Sequence, residues 1–163
     1  MDPFENNRWE LDAAESTAEF RARTYWGLVG VRGHFGRLSG AVSADGGLEL
    51  VIDAASLDTG NHIRDRHLRS GDFFDVERHP QVRFSAAGVD ETADGGARVS
   101  GRLEAAGEAV QLELAPSVRP VGDDALELDA ETTIDQRQLG MTYRRFGIRV
   151  PATVAVHAVL RRA

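Results

Sequence analysis

The densest run of chemically capable side chains is Arg64-Asp65-Arg66-His67-Leu68-Arg69, with Asp72 shortly after. Guanidinium forks suit phosphate oxygens, so Arg64, His67 and Arg69 are candidates to hold a polar or diphosphate head group. The plainer alternative is an ion-pair network that ties this stretch to the rest of the fold. The other histidines are His34, His62, His79 and His157. A zinc or haem site needs at least two that converge, yet His62 and His67 would diverge by about 140° on a helix. No HExxH spacing occurs, so neither a metal nor another cofactor is expected. Nucleophilic chemistry has no better footing. There is no G-x-S-x-G elbow, Ser39 falls inside a strand pattern, and cysteine is absent. The series Gly27, Gly30, Gly33, Gly36 has the wrong spacing for a dinucleotide fingerprint. No catalytic residue is assigned, and the chain is not expected to be an enzyme.

Composition narrows the partners. The 163 residues carry a net charge of −7, and all 19 basic residues are arginine. A negative field repels phosphate backbones, which excludes general nucleic-acid binding. Without lysine there is no Schiff-base chemistry and no P-loop. Met1 to Trp9 is polar and acidic, unlike the apolar core of a signal peptide. No stretch approaches the ~20 apolar residues of a membrane span. The expectation is a cytoplasmic protein with no integral membrane segment. A single domain over residues 1–163 suits this length.

The elements that position these residues read as strands, because period-2 alternation dominates. Trp9 and Leu11 open a short first strand. Ala18, Phe20 and Ala22 then face one way while Glu19, Arg21 and Arg23 face the other. Leu28 to Ala44 is a long glycine-rich strand, suited to a sheet that curls. Asp45-Gly46-Gly47, Asp94-Gly95-Gly96 and Ala106-Gly107 are turn signals. Ala54 to Pro80 lacks alternation and predicts a long connection with one short helix near Asn61 to Leu68. Asn61 is its expected N-cap, Gly71 its expected stop, and Phe73 and Phe74 pin it down. Pro116 and Pro120 are expected to end the strand that holds Val110, Leu112 and Leu114. The fold class is all-β: an eight-stranded antiparallel barrel, an extended meander, with the long connection between strands 4 and 5. Eight strands can enclose one small ligand.

Phe20, Trp26, Phe35, Phe84, Leu139, Met141, Tyr143 and Phe146 could line an apolar cavity, or could fill a barrel as ordinary core. Small inward residues (Ala18, Ala22, Ala86, Ala97, Ala130, Ala152) leave room for the first arrangement. An enzyme using such a cavity for isomerisation or cyclisation of a lipophilic substrate would need a polar pair inside. Tyr143 with Asp135 or Glu131 is the best available. Any homodimer is expected to use apolar patches near Phe73 and Phe74 or the Tyr143–Phe146 segment.

Several segments in order resemble the YceI-like, polyisoprenoid-binding family, from Trp9 to about Ala158. Trp9-Glu10-Leu11-Asp12 is similar to its opening strand, and Val31-Arg32-Gly33-His34-Phe35 with Leu38-Ser39-Gly40 to its glycine-rich strand. The most specific stretch is Ile52-Asp53-Ala54-Ala55-Ser56-Leu57-Asp58-Thr59-Gly60-Asn61. It continues through Arg64 to Ser70 into Asp72-Phe73-Phe74-Asp75 and Pro80. Thr132-Thr133-Ile134-Asp135 with Gly140-Met141 resembles a late motif. The resemblance implies a lipocalin-like barrel whose interior binds a hydrophobic small molecule: a polyprenyl chain, a quinone or a similar amphiphile. The role implied is that of a carrier or sequestering protein; capture of a lipophilic antibiotic would use the same physics. Two places depart. Ala105-Ala106-Gly107-Glu108 stands where the family has a Gly-Val-Thr turn. Gln136 and Gln138-Leu139-Gly140 stand where it has Arg and then Asp-Phe-Gly. If the second segment lines the pocket mouth, ligand preference differs from the family's.

Overall fold

The computed structural model describes residues 2–24, 29–141 and 151–163. Apolar alternation produces one long antiparallel sheet. Its strands are β1 (Trp9–Leu11), β2 (Thr17–Thr24), β3 (Val29–Phe35), β4 (Leu38–Val42), β5 (Leu48–Asp53) and β6 (Leu57–Asp58). Helix α1 (His62–Arg69) follows, then β7 (Gln81–Ala86), β8 (Asp90–Glu91), β9 (Ala97–Ala105), β10 (Glu108–Leu114), β11 (Ser117–Val121), β12 (Ala125–Ile134) and β13 (Ala152–Arg162). The ladder runs β10-β9-β7-β5-β4-β1-β13, and β13 also pairs with β2 and β12. Along β9, Ala97, Val99, Gly101 and Ala105 are buried and the residues between them are not, which is the half-buried alternation of a sheet with one wet face.

Among the described residues there are thirteen strands where eight are expected, and no ladder joins the two ends of the sheet. β10 comes against β12 without pairing. Much of the higher count comes from breaks. β1 and β2 lie end to end along one edge of β13, and β5 and β6 do the same beside β4 and β3. Each break is patched by side chains. The Val159 amide donates to Ser16 Oγ across the gap between β1 and β2, 2.9 Å. At the gap between β3 and β4, the Gly36 amide donates to the Ser56 carbonyl and the Arg37 amide to Ser56 Oγ. Ser56 belongs to the 3-10 turn Ala54–Ser56 that separates β5 from β6, capped by Asp53 Oδ1 accepting from the Ala55 amide. Two adjacent breaks thus hydrogen-bond each other.

The hairpin at Asp45-Gly46-Gly47 forms as expected, with Gly46 at φ 89°. Pro120 does not end a strand: it sits inside β11 opposite Leu126. β11 pairs on one side only, and an edge strand tolerates a residue without an amide hydrogen.

The buried apolar residues form two clusters. One gathers Phe35, Leu38, Leu57, Phe73, Ile134, Leu139 and Met141 beneath the α1 connection. The other holds Phe4, Trp9, Val42, Leu126 and Leu160. They mark the two ends of the curled sheet.

Candidate functional site

The connection from Asp53 to Pro80 is folded tightly. Asn61 Oδ1 accepts from the amides of Ile63 and Arg64 and caps α1, satisfying two of the four unpaired donors of the first turn. The helix ends at Ser70 rather than Gly71, with the Ser70 amide and hydroxyl both donating to the His67 carbonyl. Asp65, only 4% exposed, accepts from the amide and hydroxyl of Thr59. Arg64 Nε donates to Thr59 Oγ1 at 2.8 Å and its Nη2 to the Thr59 carbonyl at 2.9 Å. Arg69 reaches the carbonyls of Ala55 and Leu57. Two candidate head-group arginines therefore brace the connection through backbone carbonyls, the bracing role of the alternative network filled by hydrogen bonds instead of ion pairs. His67 Nε2 lies 2.8 Å from Asp72 Oδ2, and its ring stands edge-on to Phe73.

Phe73 and Phe74 hold the connection to the sheet. Phe74 stacks at 5.7 Å from Phe35 and 6.2 Å from Phe20. Both rings are turned inward, Phe73 to 8% exposure. They do not offer the exposed dimer patch expected there, because the aromatic cluster consumes them. Phe20 lies across its cross-strand partner Gly33, where a Cβ would meet the ring at 2.3 Å. Gly33 therefore makes room for an aromatic on the inner wall.

Inside the sheet is a cavity of about 580 Å³, within the size range of small-molecule sites. Its wall is overwhelmingly aliphatic and aromatic. Phe20, Phe35, Phe84, Leu139 and Met141 line it, as do the small residues Ala18, Ala22, Ala130 and Ala152. Ala86 and Ala97 do not. Trp26, Tyr143 and Phe146 lie outside the described residues. Arg64 and His67 reach the cavity and Arg69 does not. The departure segment contributes two liners, Gln136 and Leu139, both buried in the turn Gln136–Leu139. That turn is capped by Asp135, whose carboxyl is held below the usual carboxylate range by hydrogen bonds from Arg137. Asp135 and Glu131, the acids considered for an enzyme, do not line the cavity; Glu131 pairs with Arg21 outside.

Polar liners gather at one end of the cavity. Asn61, Arg64, His67 and Gln136 all belong to the α1 end, beside the exposed Ile63, while Glu19, Glu49 and Thr132 lie along the strands and the Glu49 carboxylate pairs with Arg83. The opposite end is walled by Phe4, Val42, Leu48, Leu128 and Leu160. Phe4 escaped sequence reasoning because a lone aromatic in a polar segment carries no periodic signal. Gln136 was visible only as a departure.

A model of the YceI-like domain matches residues 9–161. The chain belongs to the YceI-like family. Among curated proteins it is 28% identical over 121 residues to a UPF0312 protein of Vibrio campbellii, spanning 71% of this chain and 64% of that one. A UPF0312 protein of Pectobacterium atrosepticum is 26% identical over 146 residues, 83% of this chain and 75% of that one. Among solved structures, BcnA of Burkholderia cenocepacia superposes with a TM-score of 0.83 at 21% identity, covering 91% of this chain and 98% of that one. A polyisoprenoid-binding domain from Saccharophagus degradans gives 0.82 at 19% identity, covering 95% and 98%. At these identities the structural likeness establishes the shared YceI-like fold, a curled antiparallel sheet consistent with the lipocalin-like type. No helix among the described residues is long and apolar enough to cross a membrane.

Proposed function

We propose that this YceI-like chain binds an amphiphilic lipid, of isoprenoid or quinone type, within its sheet and acts as a carrier or sequestering protein. The observation that carries the proposal is the cavity of about 580 Å³ with largely apolar walls and a cluster of polar side chains at the α1 end. An amphiphile has the same asymmetry. Its tail would be retained by buried area, at about 0.8 kcal/mol per CH₂, without any specific contact. Its head would lie near Asn61, His67 and Gln136, with Arg64 and Arg69 acting mainly as struts. Support also comes from the likeness to a domain described as polyisoprenoid-binding. In this proposal residues 1–163 form one domain, an eight-stranded barrel whose seam runs between β10 and β12.

Native mass spectrometry before and after organic extraction tests the proposal. A co-purifying lipid, or stoichiometric uptake of a prenyl alcohol by the extracted protein, is the expected result. An unchanged mass and no uptake in titration would sink it.

A further inference from the structure

Part of the floor of the cavity, the Phe4 ring, comes from a segment that the family match does not include. Residues 2–8 precede the matched region, which begins at residue 9. The segment joins no strand ladder. It is held by the Phe4 amide donating to Asp2 Oδ1 (2.8 Å), by the Asn6 amide donating to the Ala44 carbonyl (3.2 Å), and by Trp9 Nε1 donating to the Pro3 carbonyl (3.0 Å). Asn7 Nδ2 adds bonds to the Pro3 and Glu5 carbonyls. These bonds fold the segment back so that Phe4 enters the sheet at 3% exposure, among Trp9, Val42, Leu126 and Leu160. Phe4 also faces the cavity, at the end away from Asn61, Arg64, His67 and Gln136.

We infer that Phe4 is the length-determining residue of the site: its ring stops the tail of a chain-shaped ligand whose head stays at the α1 end. The inference rests on the proposed lipid binding and adds which residue limits the ligand. The physical reason is steric. Interiors are close-packed, so a tail that reaches the ring gains nothing by growing, whereas removing the ring opens space for roughly one more prenyl unit. Because Phe4 arrives on a hydrogen-bonded turn instead of a strand, its side chain can change without breaking a ladder.

The test is a series of prenyl alcohols of increasing length, titrated into wild-type protein, Phe4→Ala and Phe4→Trp. Phe4→Ala should move the preferred length up by about one unit and strengthen the first homologue beyond the wild-type optimum at least ~10-fold. Phe4→Trp should move it down by about one unit. Val121→Ala, at an exposed position that does not line the cavity, should leave the preferred length where it is. Should Phe4→Ala not fold, Phe4→Leu reports the same direction with a smaller step. A wild-type optimum that neither Phe4 substitution shifts overturns the inference and leaves lipid binding standing. Wild-type protein that takes up no prenyl alcohol of any length overturns both.

Discussion

The two ends of the curled sheet are closed by different physics. At the α1 end the cover is anchored by Phe73 and Phe74 and laced with directed hydrogen bonds: Asn61 on the helix amides, Asp65 on Thr59, Arg64 and Arg69 on backbone carbonyls. At the other end Trp9 and Phe4 fill the opening, 2% and 3% exposed, with the Arg162 guanidinium 5.2 Å over the Trp9 ring. The hydrogen bonds around α1 have alternative partners in water and can open locally at modest cost, whereas the Trp9–Phe4 plug opens only by exposing its whole area. The difference teaches which end would serve as the mouth in the proposed function.

The largest effect is expected from Trp9→Ala, which removes the plug's main body and should lower unfolding free energy by about 4 kcal/mol. Urea denaturation would read it; a loss below about 1 kcal/mol would mean that this end is not the rigid one. Asp65→Ala should come next, at about 3 kcal/mol, because it strips a buried carboxylate from two Thr59 donors. Its effect should be local. Amide hydrogen exchange should speed up across residues 59–70 and stay slow in β1, β12 and β13. Uniform acceleration would show that both ends open together and erase the contrast.

The smallest effect concerns Asp12 and Arg161, an exposed pair at 2.7 Å beside the break between β1 and β2. Hydrogen bonding from Arg161 holds the Asp12 carboxyl below its ordinary value. A carboxyl whose pKa is lower folded than unfolded stabilises the fold above its unfolded pKa, and that contribution disappears as pH falls through the folded one. Asp12→Asn should therefore lower the melting temperature slightly at neutral pH. The gap should close in acid below the usual carboxylate range. A gap that persists there would assign the loss to something other than charge.

Much of this was legible in the residues. Alternation placed the long strands, Asn61 announced its helix, and Phe73 and Phe74 pinned the connection as expected. The breaks were not legible, since Ser16 reads as an ordinary polar residue until its hydroxyl is seen replacing a ladder partner. Arg64 and Arg69 advertise a fork but not its acceptor, because every residue carries a carbonyl. Phe4 was hidden for a related reason: its burial depends on Ala44, Leu126 and Leu160, far away in sequence. Of the cavity liners named from sequence, Phe20 and Phe84 were found by facing direction, whereas Phe35, Leu139 and Met141 were visible only as large apolar residues, Leu139 and Met141 lying outside any strand.

β13 pairs with β12 along one edge and with β1 and β2 along the other, Trp9 meeting Arg162 and Leu11 meeting Leu160. It is also made after every strand it joins. During synthesis, then, the β1-β4 and β2-β3 pairs can form early while their inner faces wait for a neighbour. Closing so long a loop is slow, and uncovered apolar strands are prone to aggregate in the interval. The vulnerable moment in this protein's life falls before β13 emerges, when the wall around the cavity is still open along its whole length.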